Sequence, residues 1–375
     1  MTVMGWLLDS DPSIRWQVMR DLTNEPEEMV AKERARVATE GWGARLLALQ
    51  GPDGQWGKDA LPASSQAPWG EGLSDVGTRK LLRELHGVSL DELAGFLEFD
   101  STTISNWENG RPDPEDAHID KYRSVLDWMR NSIGTLKPEW TSTTWTLQLL
   151  RDMGLDPASD EARRAIAPVR EHSKWDHDGQ DYFAGEVEPC INGKAVALGS
   201  YFGEDVQGIV DRLLSEQLSD GGWNCEAERG STRSSFNSTI SVLDGLLEYE
   251  RATGSSTEVT AARERGEEYL LERQMFRRQS TGEVVDPDWT LFSFPTLWHY
   301  DVLWGLDYLR SAGVEADERV SEAVELVRTK QGEDGRWLLE HSHPGRVHFE
   351  MEEGDGKPSR WNTLRAMRVL DWASS

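Results

Sequence analysis

Cysteine is nearly missing from this chain: Cys190 and Cys225 are the only two in 375 residues. So few cannot build a disulfide framework, and they fit a reducing compartment. Basic side chains are also scarce, with 40 Lys and Arg against 67 Asp and Glu and a formal net charge of −27. Nucleic acid and anionic lipid repel such a chain at long range, which excludes non-specific attraction to either. Long apolar runs are absent and mean hydropathy is −0.61, which excludes a membrane-spanning helix. Met1 to Ser13 has no basic stretch followed by an apolar one, so no signal peptide is expected and the expected location is cytoplasmic. Phosphate-cradling Gly loops and a Gly-x-Ser-x-Gly elbow are missing as well, which removes the nucleotide-loop and hydrolase readings.

What the chain has in abundance is tryptophan, 17 in all. Three of them close the same pattern, Gln, any three residues, Gly, any residue, Trp: Gln50 to Trp56, Gln217 to Trp223 and Gln331 to Trp337. The last two begin 114 residues apart, twice 57, and Gln274 stands at the midpoint without the Gly-x-Trp. A degenerate copy is expected near Glu171 to Trp175. Each copy follows an amphipathic stretch, so the glycine is expected to end a helix in a left-handed conformation. Gln then reaches free backbone groups while Trp covers the helix end.

Between these turns lie segments apolar nearly all round, which predicts buried helices over 12–22, 141–153, 190–202, 236–249, 297–309 and 360–372. More charged helices are expected to alternate with them over 31–50, 160–171, 205–217, 258–275 and 317–331. Six inner and five outer helices describe two concentric rings. The QxxxGxW turns with this alternation resemble the QW repeats of squalene and terpene cyclases and the related repeats of protein prenyltransferase β-subunits. The resemblance covers residues 1–57 and 138–375. It implies an all-α fold, an (α/α)6-type toroid in which inner-helix N-termini line a central cavity that holds isoprenoid chains.

The repeat stops after Trp56-Gly57 and resumes at Trp140. Residues 58–71, with Pro62, Ser64, Ser65 and Pro68, and 131–137 read as linkers. Between them, 72–130 reads as a small inserted domain with helices over 76–85, 90–97 and 101–108. Ser89 and Glu92 hold capping-box positions. Ser89-Leu90-Asp91-Glu92-Leu93-Ala94 and Thr102 to Arg111 resemble the second and recognition helices of Xre/Cro-type helix-turn-helix domains. That resemblance implies DNA contact through Ser101, Thr102, Thr103 and Asn106, with Arg111 at the exit turn. Arg79, Lys80, Arg83 and Arg111 are the basic residues available for phosphate, in a stretch (71–130) with 13 acidic and 7 basic side chains. Leu90 stands where a phosphate-contacting glutamine is common, and Glu98 where the turn usually carries glycine.

No Asp-x-Asp-Asp acid of the protonating cyclases is present; Asp286-Pro287-Asp288 comes nearest and reads as a solvated loop. The prenyltransferase resemblance implies a zinc held by Cys190, His299 and Glu188, with Asp301 as the alternative carboxylate. The structural alternative is that Cys190 packs as a small buried residue and His299 as a hydrogen-bonded one. Cys225 reads as local packing of an outer turn, and His341, His343 and His348 as a rim loop. By position on the inner helices the cavity lining is expected to include Trp16, Trp145, Phe236, Trp298, Tyr300, Trp304 and Trp361. Arg15, Asn192, Lys194, Asn237, His299, Asp301, Asn362 and Arg365 supply polar groups there. An apolar wall with sparse polar groups is the usual make-up of a small-molecule pocket, and the cations suit an anionic head.

The leading expectation is a ligand-responsive transcriptional regulator: a toroid binding an apolar or isoprenoid-like small molecule, coupled to a module that contacts DNA, as a homodimer if it does. No cofactor is expected under this reading. The alternatives are a terpene cyclase or prenyltransferase-like enzyme, with zinc in the second case, and a non-catalytic scaffold.

Overall fold

The computed structural model describes residues 1–61, 73–111, 114, 116–175 and 179–374. Pro62, Ser64, Ser65 and Pro68 of the expected entry linker lie outside the described residues. The fold is all-α, with no strand among the described residues and only isolated bridges such as Leu338 to Pro358. No helix among them is long and apolar enough to cross a membrane.

Seventeen α-helices are described, in chain order. Before the break in the repeat come α1 (Val3–Leu8), α2 (Pro12–Asp21), α3 (Glu27–Ala35) and α4 (Gly41–Ala48). The inserted region carries α5 (Val76–Leu85), α6 (Leu90–Leu97), α7 (Ser101–Glu108) and α8 (Asp116–Ser132). Then follow α9 (Thr143–Asp152), α10 (Asp160–His172), α11 (Pro189–Phe202), α12 (Gln207–Ser215) and α13 (Phe236–Thr253). The last four are α14 (Thr257–Leu271), α15 (Val302–Ser311), α16 (Ser321–Thr329) and α17 (Arg360–Trp372).

The three QW turns are built alike. Each glutamine amide donates across its own turn: Gln50 to the Gly54 carbonyl, Gln217 to Gly221 and Gln331 to Gly335. Those glycines take φ of +80°, +97° and +80°, which a side chain would strain. Each indole N–H donates at 2.7 Å to a carbonyl ten residues back, in the last turn of the preceding helix: Leu46, Leu213 and Val327. Those carbonyls stand in the last helical turn, where intrahelical donors run out, so the tryptophan supplies a cap as well as bulk; that of Leu46 also accepts from the Leu49 N–H. Each Trp backbone N–H then donates to a threonine hydroxyl on a later apolar helix, namely Thr143, Thr239 and Thr363. Two of the glutamines reach one helix further, Gln50 to Ala165 and Gln217 to Ala262. One motif thereby ties a charged helix, its turn and the apolar helix behind it.

Contacts between the apolar helices run in order and return to their start. The Trp16 indole and the Gln17 amide of α2 donate to the carbonyls of Met153 and Asp152 at the end of α9. Helix α9 meets α11, and α11 meets α13 so closely that their backbones touch. A Cβ on Gly193 would stand 2.4 Å from the Ser241 carbonyl, and one on Gly245 2.4 Å from that of Gly193. Arg251 of α13 donates to Ser311 at the end of α15, α15 packs on α17, and Arg368 of α17 donates to Gln17 of α2 at 2.9 Å.

Besides a small group of Trp140, Trp145 and Leu297, two groups of buried residues separate along the chain. One joins residues 6–56 with 147–369; the other, holding Leu82, Leu93, Ile104, Trp107, Tyr122 and Leu126, draws only on 61–133. Several sequence expectations need correction. Helix α8 was not expected, and it runs into the stretch read as a return linker; Ile133, Gly134 and Thr135 beyond it are buried. Leu61 and Ile133, both in expected linkers, belong to the second core. The expected helix 31–50 is two helices broken by a 3-10 turn at Arg36–Ala38 and by Gly41 at φ +65°. Leu297 to Asp301 precedes α15 rather than opening it, because the Asp301 side chain caps that helix by accepting from the Trp304 N–H at 2.7 Å.

Candidate functional site

Two cavities lie at opposite ends of the apolar helices. The first, about 390 Å³, sits at the N-terminal ends of α9, α11 and α13. Thr144 and Trp145 come from α9, Cys190, Ile191 and Lys194 from α11, and Asn237 and Ser238 from α13, with Ser235 just before it. Leu136, Glu139, Glu188, Trp298 and the turn Asn224-Cys225-Glu226 complete a mainly apolar wall. The second, about 640 Å³, is charged and lies toward the helix C-termini. Seven arginines (20, 34, 151, 251, 310, 365 and 368) there face the five carboxylates of Asp21, Asp152, Asp244, Glu248 and Asp307, in a protein whose overall charge is strongly negative.

Lys194 stands between them. It is 2 % exposed, lines the first cavity and has no hydrogen-bond partner for its ammonium. The ammonium lies 4.5 Å above the ring of Trp304, which lines the second cavity. Burial pulls its pKa down to about 8, against the opposing attraction of Asp244. Arg151 pairs with Asp244 at 2.8 Å on the other side of that carboxylate.

Trp145, Asn237 and Trp298 line the first cavity with Lys194, as do Cys190 and Glu188. Trp16, Trp304, Trp361 and Arg365 line the second instead. The remaining expected lining residues serve the framework and line neither. Arg15 pairs with Glu33 at 2.6 Å and faces α3. Asn192 bonds to the backbone of Glu186 through both ends of its amide. Phe236 packs among Tyr269, Trp289 and Tyr300, whose hydroxyl donates to Met275. Asp301 caps α15 and accepts from Ser293, and the Asn362 amide donates to Phe292 and Leu338. The physical reason is shared: a helix buried on all sides aims only part of its circumference at a cavity.

His299 does not join Cys190 and Glu188. Its ring is stacked between Trp298, 3.6 Å away, and His343, 3.8 Å away, where burial holds its pKa down to about 4. The third group at the cysteine is Cys225. Its Sγ lies 2.8 Å from that of Cys190, which is 3.6 Å from a Glu188 oxygen. These three form the one cluster of metal-donor side chains among the described residues. As they stand they do not fit zinc: two thiolates at about 2.3 Å on a tetrahedral ion stand roughly 3.7 Å apart. Sequence reasoning placed Cys225 in local packing and did not bring it to Cys190, although the QW turn offers a signal. Trp223 is pinned to Thr239 near the start of α13, so residues just past the Trp must approach the converging helix ends.

In the inserted region Thr102, Asn106 and Arg111 are exposed. Ser101 and Thr103 are half-buried, and their hydroxyls are spent on Asp91 and Asp100. Two of the four arginines and lysines expected to meet phosphate are buried. Arg79 donates to the carbonyls of Ser74 and Trp107, and Arg83 grips Glu108 through two bonds of 2.6 and 3.0 Å. Ser89 and Glu92 close the capping box, and Glu98 takes φ +63°.

Comparison with protein-family models, with curated proteins and with solved structures yields no match to this chain.

Proposed function

We propose that this protein is a ligand-responsive regulator. In this reading the apolar helices form the inner ring of an α/α toroid, and the first cavity takes an apolar, isoprenoid-like molecule with an anionic head. The observation that supports it most is a mainly apolar cavity whose buried cation, Lys194, has no hydrogen-bond acceptor. An anion reaching that ammonium would gain a charge-assisted bond in a site shielded from water. The aromatic edges of Trp145 and Trp298 would flank the chain.

The inserted module is the output. Thr102 and Asn106 present a hydroxyl and an amide that suit base edges, and α7 has the length of a recognition helix. Of the expected phosphate contacts only Lys80 and Arg111 remain exposed, and Lys80 lies 3.6 Å from Glu84. DNA affinity in this reading depends on a homodimer that doubles those contacts. With two phosphate contacts per module, log K is expected to fall by about 2 for each decade of salt per module.

Tryptophan quenching with farnesol, farnesyl diphosphate and palmitate tests the ligand half. The two anions are expected to bind about tenfold more tightly than the alcohol, and Lys194→Met to erase that difference. Absence of saturable binding by all three overturns the reading. Fluorescence anisotropy with random-sequence duplex at low salt tests the other half; no binding with or without ligand removes DNA as the partner.

A further inference from the structure

The only two cysteines of the chain, 35 residues apart, meet. Neither arrives on a loose segment. Cys190 is in the first turn of α11, whose approach is held by Arg212 donating to the carbonyls of Glu186 and Val187. Cys225 follows the pinned Trp223, and its own N–H donates to the Ser238 hydroxyl at 3.3 Å. Two sulfurs at 2.8 Å are inside ordinary contact and outside the spacing of a shared zinc. Both residues are partly exposed, so a small reagent can reach them.

We propose that Cys190 and Cys225 are a site of reversible covalent oxidation at the rim of the first cavity, closed to a disulfide by exchange with low-molecular-weight disulfides of the glutathione type. Cys225 reacts first. The Cys190 thiol and the Ser238 hydroxyl, 3.3 Å away, both stabilise its thiolate and hold its pKa below the usual thiol value. The bond to Cys225, burial and the Glu188 carboxylate all work against ionisation of Cys190, which keeps the shared proton.

The Cys225 thiolate attacks one sulfur of the small disulfide; that S–S bond breaks, and one glutathione leaves as a thiolate and takes a proton from solvent. Cys190 then loses its proton to solvent and attacks the Cys225 sulfur of the mixed disulfide, which releases the second glutathione. Two protein thiols are oxidised by two electrons, and one glutathione disulfide is reduced to two thiols. The new bond fastens the first turn of α11 to the turn after Trp223. Lys194 lies one helical turn further along the same face, so the bond stands at the entrance to its cavity.

The full-length protein, equilibrated with mixtures of reduced and oxidised glutathione, tests this by intact mass and thiol titration. Expected are loss of both free thiols, a mass lower by two hydrogen atoms, and full recovery on reduction. Cys190→Ser is expected to stop at a stable glutathione adduct on Cys225, and Cys225→Ser to react much more slowly. The proposal is overturned if the wild-type protein ends as a mixed disulfide or a disulfide-linked dimer. Stoichiometric zinc, released when the thiols are blocked, overturns it as well, since the sulfurs would then be ligands.

Discussion

The QW turns and the inserted module use buried polar groups in opposite ways. In the three QW turns the donors are neutral: each buried indole N–H meets a carbonyl of the last helical turn, and each glutamine amide a glycine carbonyl of the turn. In the inserted module the buried polar groups are charged, with Arg83 against Glu108 and Arg79 against two carbonyls. A neutral donor on an open carbonyl costs little desolvation and is compatible with repetition around a framework. A buried ion pair is worth little in net stability and holds one particular geometry. The module has drawn Arg79 and Arg83 inward, and the surface left for a nucleic acid is poor in positive charge.

That contrast is open to breaking. The largest effect is expected in a turn: Trp223→Ala should cost about 3–5 kcal/mol, measured by chemical denaturation. Trp223→Phe should recover only part, since it restores bulk and not the N–H. If Phe recovers everything, the indole bond carries nothing. Next comes Arg83→Met, expected to cost about 3 kcal/mol because Glu108 is left charged and alone. Adding Glu108→Leu should return most of that loss; a double variant as unstable as the single one would assign the pair a larger net role.

A third test uses pH. Burial lowers His299 and His348 to about 4 and His343 to about 3, from an ordinary value near 6.5. The unfolded chain then binds more protons, so this stability is fully present above pH 6.5 and is lost as pH falls toward 4. The melting temperature should drop across that window, and the combined change His299→Gln and His343→Gln should flatten the drop. The smallest effect is expected at Glu98, held at φ +63°. Glu98→Gly should stabilise the module by about 1 kcal/mol, less the contribution of the exposed Lys121 pair.

The legible parts of the fold were those with a strong local signal. Helices over 76–85, 90–97, 101–108 and 360–372 have the ends their caps and periodicity predict; most others lie within a few residues, while 31–50 is split and α15 opens five residues later than expected. Helix α8 was missed although Tyr122, Val125, Leu126 and Met129 recur at helical spacing and are buried in the second core; two prolines, Pro112 and Pro114, precede it. The cavity was less legible. A residue's place on a buried helix says that it faces packing, and only the tertiary arrangement decides whether that packing is a void, a cap or a neighbour's ring. Trp145 and Trp304 differ in this respect by what lies across from them, which no local pattern encodes. Cys225 reads from the sequence as local packing for a related reason: its partner is 35 residues away.

The ammonium of Lys194 rests on the indole that forms the wall of the opposite chamber. A guest that pulled the amine toward itself would lift a cation off that aromatic face and unbalance the neighbouring Asp244–Arg151 pair. Occupancy of the first cavity would then be felt at the second, with a single side chain as the messenger.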